Sequence, residues 1–175
     1  LKVAHYRNGN DITTGLESSE WIGVNHGAYS VYDDDPSNAD IYGNFYNWYA
    51  VDDERGLCMP GWHVPSDDEY KELEMFLGMS EGEANSEGWR GTDEGTKLKD
   101  DLNWNGSNES GFTGLPGGYR SSTDGSYIGI GNFGYFWTAS EYGGAWRRNL
   151  QYNRLDISRV QCHKEMGYSI RCIKD

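Results

Sequence analysis

The sequence predicts one α+β domain, with helices in its first half and antiparallel strands in its second. Three observations carry this. A length of 175 residues suits a single hydrophobic core. The strongest helical period lies at 66–77. From Gly111 onward, strand-length runs follow one another across turn residues, without the helices that a parallel α/β sheet would place between them.

Taken in order, residues 1–57 hold no long helical period. They read as short β-like pieces such as Glu20–Val24 and Tyr42–Val51, separated by Gly, Asn and Asp. The stretch Phe45-Tyr46-Asn47-Trp48-Tyr49 is too aromatic for a solvent-facing strand and belongs in the core, as strand or helical turn. A helix follows Pro65. Ser66 caps it, Glu69 completes an S-x-x-E capping box, and Asp67, Asp68 and Glu69 place negative charge at its N-terminus. Tyr70, Leu73, Phe76 and Leu77 are assigned to its apolar face, and Gly78 to its stop. Ser80 and Glu83 repeat the box and open a shorter helix ending near Gly88; residues 89–99 are ambiguous. Asp124-Gly125 marks a hairpin turn. Strands are expected at Phe136–Ser140, Ala145–Tyr152, Ile157–His163 and Tyr168–Ile173, the last alternating with Tyr168, Ile170 and Cys172 on one face.

Composition narrows the function. The 7 Trp, 13 Tyr and 5 Phe predict an aromatic-rich core, and 24 glycines dispersed along the chain predict many turns. A net charge of −13 argues against nucleic acid and against anionic lipid, since both need a basic footprint. No apolar run reaches the ~18 residues of a membrane span. The chain opens at Leu1 rather than Met and reads as processed or trimmed, so the lack of a visible signal sequence does not argue against export.

Local motifs offer little chemistry. Cys58, Cys162 and Cys172 are odd in number, consistent with one disulfide and a free thiol or with three reduced thiols. Cys162 and His163 are adjacent on a strand and point to opposite faces, which disfavours a catalytic pair. Gly129-Ile130-Gly131-Asn132-Phe133-Gly134 matches a dinucleotide fingerprint, but a strand-like segment follows it where a helix is required, so a tight turn is the better reading. Asp101-x-Asn103-x-Asn105-Gly106 resembles the start of a calcium loop whose twelfth position is Phe112 instead of Glu. Calcium through Asp101, Asn103, Asn105 and Glu109, or at Asp33-Asp34-Asp35 with Asn38 and Asp40, is the minor reading beside ordinary solvated turns. His5, His26, His63 and His163 show no ligand spacing, and no G-x-S-x-G elbow is present.

Several segments together resemble one family. Tyr42–Val51 is similar to Y-G-x-x-Y-N-W-x-A-V, Cys58–Glu69 to C-P-x-G-W-H-V-P-S-D-x-E, and Asn108–Arg120 to N-x-S-G-F-x-x-L-P-G-G-Y-R. Phe136–Ser140 and Ser169–Asp175 continue the match. On these residues the chain is identified as a member of the Fibrobacter succinogenes major paralogous domain family, with an N-terminal segment expected upstream of Leu1. The resemblance implies a C-type-lectin-like fold related to formylglycine-generating enzyme, with two early helices packed on a twisted antiparallel sheet. It implies export, to the cell surface and with lipid anchoring, a Cys58–Cys172 disulfide and a free Cys162. It transfers no catalytic residue.

The expected function is therefore a non-catalytic surface interaction module, binding a glycan or protein ligand through the loops between about 100 and 150. Trp104, Arg120, Tyr142 and Trp146 are the candidate contact residues, because aromatic and Arg side chains are enriched at recognition surfaces. For Trp104 and Arg120 the favoured reading is core and buried-pair residues. A structural spacer is the alternative. A redox or metal-dependent enzyme is the third reading; it needs a cysteine pair or a ligand set, and the lectin calcium motifs are missing, Trp104-Asn105-Gly106 failing at the carboxylate.

Overall fold

In a computed structural model describing residues 1–175, the chain is a mixed α and β domain of six short helices and several antiparallel sheets. The helices are α1 (Ser18–Ile22), α2 (Pro36–Tyr42), α3 (Trp48–Val51), α4 (Asp67–Phe76), α5 (Glu81–Asn85) and α6 (Glu94–Leu98). Two-residue strands β1 (Tyr29–Ser30) and β2 (Phe45–Tyr46) pair with each other, as do β5 (Tyr119–Arg120) and β6 (Tyr127–Ile128). β3 (Trp62–His63) pairs with β10 (Ile173–Lys174). The main sheet has the order β4-β9-β8-β7, from β4 (Gly88–Arg90), β7 (Phe133–Glu141), β8 (Ala145–Gln151) and β9 (Ile157–Cys162).

The capping chemistry sets the helices as the sequence predicts. Ser66 and Ser80 accept from the backbone amides of Glu69 and Glu83, and each Glu side chain returns to its cap residue's amide. Three expectations need correction. Glu20–Val24 is not a β-like piece, because Trp21 and Ile22 close helix α1, whose Glu17 and Glu20 form a reciprocal box. The inner face of α4 is also rotated: Phe76 is 85% exposed, whereas Asp67 and Glu74 are buried with Tyr70 and Leu77. The expected strand at Tyr168–Ile173 keeps its alternation, with Tyr168 and Ile170 buried, but only isolated bridges tie Tyr168 to Tyr46 and Ser169 to Phe136. The ambiguous segment after Gly88 supplies β4 and α6.

The main sheet separates two cores. On one face, Trp137 of β7 joins Tyr46, Trp48, Tyr168 and Ile170 around the Cys58–Cys172 disulfide, whose Cα atoms are 5.9 Å apart. Closing a loop across 114 residues contributes on the order of 4–5 kcal/mol in the chain-entropy treatment. On the other face, Phe136, Leu150 and Ile157 pack with Tyr70, Leu77, Leu98 and Trp104.

Between α4 and the sheet lies a layer of buried charge. Arg148 of β8 and Arg159 of β9 are directly opposed across the strands, and Arg90 of β4 follows two residues after Arg159's partner Gly88, on the same face. Like charges so placed repel. α4 supplies the remedy. Asp67 accepts from Arg148 Nη1 at 2.7 Å and from Arg159 Nη2 at 2.7 Å, while Glu74 accepts from Arg148 Nε at 2.6 Å and Arg90 Nη2 at 2.5 Å. Burial raises the Asp67 pKa, but Arg159 and Arg148 outweigh it and hold the carboxyl well below its usual range.

Candidate functional site

The four candidate contact residues part company in the structure. Trp104 is fully buried in the α4-side core. Trp146 is 7% exposed and lies under the Arg159 guanidinium, 3.7 Å from its ring centroid, inside the charged layer. Both are held by the fold. Tyr142 is 81% exposed at the tip of the β7–β8 hairpin, where its amide donates to the Gly144 carbonyl at 3.0 Å. Glu141, beside it, pairs with Lys164. The tip is thus tied down while the ring projects.

Arg120 is the unusual one. It is 1% exposed, yet no carboxylate meets it: Nε donates to the Gly125 carbonyl at 3.1 Å, Nη2 to the Leu16 carbonyl at 2.8 Å, and Nη1 has no partner. Its guanidinium stacks between the rings of Trp21 and Tyr127, at 4.5 and 4.9 Å. A buried unpaired donor costs about 1–3 kcal/mol, more when charged. The hairpin β5–β6 positions this side chain. Its Asp124-Gly125 turn needs Gly125 at φ +72°, and a Cβ there would approach the Ser18 backbone at 2.5 Å. Gly167 similarly leaves room, since a Cβ would come within 2.8 Å of Arg120 Cβ and 3.0 Å of Trp21 Cζ2. Beside Arg120 is a cavity of about 280 Å³, lined also by Gly15, Leu16, Glu17, Ser18 and Asp34.

The other singled-out segments are spent on turns. Asp100, rather than Asp101, organises the loop after α6, its Oδ2 accepting from the amides of Leu102 and Asn103 at 3.1 and 2.7 Å. Asn105 takes a left-handed φ of 55°. Asp35 caps α2, and Asp34 accepts from the Tyr127 hydroxyl at 2.7 Å. No three His, Cys, Asp or Glu side chains converge as a metal ligand set in the structure. Gly129 and Gly131, both at positive φ, turn the chain into β7, so the G-x-G-x-x-G match is a loop between strands.

Nucleophiles are similarly constrained. Cys162 is the free cysteine, and burial pushes its thiol up to about 11. Thiolate character, which reactivity requires, is thereby suppressed. His63 has both ring nitrogens engaged, Nδ1 with Asp175 at 2.6 Å and Nε2 with Glu69 at 2.8 Å. Sequence reasoning also passed over a groove of about 440 Å³ beside the disulfide, walled by Leu57, Met59, Pro60, Trp62 and Val3. Met59, 62% exposed within a C-M-P-G-W segment, is the signal that points to it.

No helix is long and apolar enough to cross a membrane. No curated protein and no solved structure matches the chain significantly. The model of a bacterial family, the Fibrobacter succinogenes major domain, matches residues 1–174, and the chain belongs to that family.

Proposed function

We propose that this domain is an exported, non-catalytic interaction module of the bacterial cell surface, with a C-type-lectin-like fold, that binds a glycan or protein ligand through the β7–β8 hairpin face. The observation that carries this is Tyr142, a large aromatic ring held out into solvent on a short, internally bonded hairpin. Tyr brings contact area with only two rotatable side-chain bonds, so it costs little to immobilise on binding. The Cys58–Cys172 disulfide supports export, because such bonds persist in oxidising compartments. Helices preceding a strand-rich half, with long loops between, support the lectin-like reading of the α and β architecture.

The raised Cys162 thiol and the doubly engaged His63 support a non-catalytic role. Cys58 and Cys172 being joined leaves no second thiol for chemistry of the formylglycine-generating type.

A glycan array probed with the domain, in calcium and again in EDTA, tests this reading alongside Tyr142→Ala. Binding by the parent domain that falls to background in Tyr142→Ala is the expected result. Unchanged binding in the variant would move the site elsewhere, and no binding to glycans or to surface-protein extracts would favour the spacer. Trp146→Ala is unsuitable here, since that ring is part of the folded interior.

A further inference from the structure

We infer that the cavity at Arg120 is a subsite for one neutral sugar residue, whose neighbouring hydroxyls accept from the Arg120 guanidinium and donate to Asp34 and Glu17. This rests on the interaction-module reading and adds a second site, separate in sequence from the Tyr142 hairpin.

Four observations lead there. Arg120 keeps an N–H unpartnered although it is nearly wholly buried, and it lines the cavity. Buried donors in native folds find partners, so a guanidinium with an unmet donor and no carboxylate, in a residue that lines a cavity, points to an acceptor that arrives from outside. Second, the other residues lining the cavity are Glu17, Ser18 and Asp34, all exposed, with Gly15 and Leu16. Two carboxylates beside the entrance repel sulfate, phosphate or a carboxylate ligand, while the guanidinium repels a cation. A ligand that both accepts and donates without net charge satisfies both sets, and a vicinal diol does so with adjacent hydroxyls. Third, the polar groups of the cavity are rigid. Arg120 is clamped by two carbonyls and two aromatic rings, and Asp34 Oδ1 is fixed by the Tyr127 hydroxyl. A preorganised site loses little entropy on binding. Fourth, the volume of about 280 Å³ falls just under the ~300–1,000 Å³ typical of drug-sized ligands and far exceeds the ~30 Å³ of one water, which suits a single monosaccharide.

The test is an amide-shift titration of the isotope-labelled domain with the methyl glycosides of glucose, galactose, mannose and N-acetylglucosamine, with sodium sulfate and sodium acetate as parallel probes. At least one glycoside should shift the Leu16, Ser18, Asp34 and Arg120 amides saturably. Its affinity should fall about tenfold or more in Asp34→Asn, the loss expected for one hydrogen bond to a charged group. In that variant the amide oxygen can keep the Tyr127 hydroxyl, and an NH₂ replaces the second acceptor oxygen. Because Asp34 is exposed, the variant keeps the fold; Arg120→Met, if folded, should abolish the shifts. Saturable shifts with sulfate or acetate in place of a glycoside would overturn the proposal in favour of an anion site. Absence of shifts at these amides with every glycoside would leave water as the only occupant and overturn it too. Array binding lost in Tyr142→Ala but retained in Asp34→Asn would sink the subsite while leaving the interaction-module reading intact.

Discussion

Two buried arginines divide this molecule into regions that handle charge in opposite ways. Arg148, fully buried beneath α4, meets Glu74 and Asp67 through three of its N–H groups' contacts, and both carboxylates are shared with neighbouring arginines. Arg120, equally buried beneath the α1 and β5–β6 segments, meets two carbonyl oxygens, two ring faces and no carboxylate. In the first region the counter-charge is supplied by the fold, and the guanidinium docks a helix on a sheet. In the second it is left out. The contrast teaches that burial alone does not make an arginine structural: what decides is whether the chain meets its charge with a carboxylate.

The largest effect should come from breaking the carboxylate-paired region. Glu74→Ala removes the carboxylate of Arg90 and leaves Arg148 with Asp67 alone, all within the interior. Removing one partner from a buried ion network costs about 3–5 kcal/mol. Urea denaturation followed by tryptophan fluorescence should show a midpoint lowered accordingly. A loss below about 1 kcal/mol would mean that the layer is wet and screened like a surface pair.

The same contrast explains what the sequence disclosed. Capping boxes at Ser66 and Ser80, the Asp124-Gly125 turn and the strand runs at Phe136–Ser140, Ala145–Tyr152 and Ile157–His163 are local signals, and each reappears in the structure; the run Tyr168–Ile173 does not form one strand. The helix α4 was legible in extent and misread in orientation. Asp67 looks like a dipole-stabilising first-turn acid and Glu74 like a solvated one, because their partners Arg90, Arg148 and Arg159 lie up to 92 residues away. Phe76 was placed inward by apolar spacing, and lost that place when the arginines claimed the α4 face. At the candidate site, Tyr142 and Arg120 were named from residue type alone. Their separation into an exposed ring and a buried, unsatisfied cation depends on the pairing of β5 with β6 and on α1, which the sequence presented as a β-like piece. The disulfide was legible only through family resemblance, since cysteine count left the pairing open.

A smaller effect should follow at the unsatisfied arginine. Arg120→Met keeps length and apolar contact with Trp21 and Tyr127 and removes a charge that no carboxylate offsets. The Gly125 and Leu16 carbonyls lose their donors, but the desolvation cost of the guanidinium disappears with it, and such replacements are often close to neutral. A change within about 1 kcal/mol is expected by urea denaturation, against the much larger loss for Glu74→Ala. Equal losses in the two variants would erase the distinction between the regions and return Arg120 to a purely structural role.

The smallest effect belongs to a third arrangement, in which a charge sits between carboxylates at the surface. His63 bridges Asp175 and Glu69, so it ties β3 and β10 to the first turn of α4, and hydrogen bonds to Asp175 and then Glu69 raise its pKa above the ordinary 6.5. With the folded pKa above the unfolded one, the stabilisation is fully present below about pH 6.5 and is lost as pH rises through the folded value. Because the ring and Asp175 are both well exposed, solvent screens the pair and the contribution is modest. His63→Gln should remove this slope while leaving Asp67, which holds its charge between Arg148 and Arg159, unaltered. Urea midpoints measured from pH 5 to pH 9, on the order of half a unit apart, resolve the two. A parent domain whose stability did not fall through the neutral range would show that the His63 bridge contributes nothing in solution, and that a charge set between carboxylates at this surface does not hold β3 and β10 to α4.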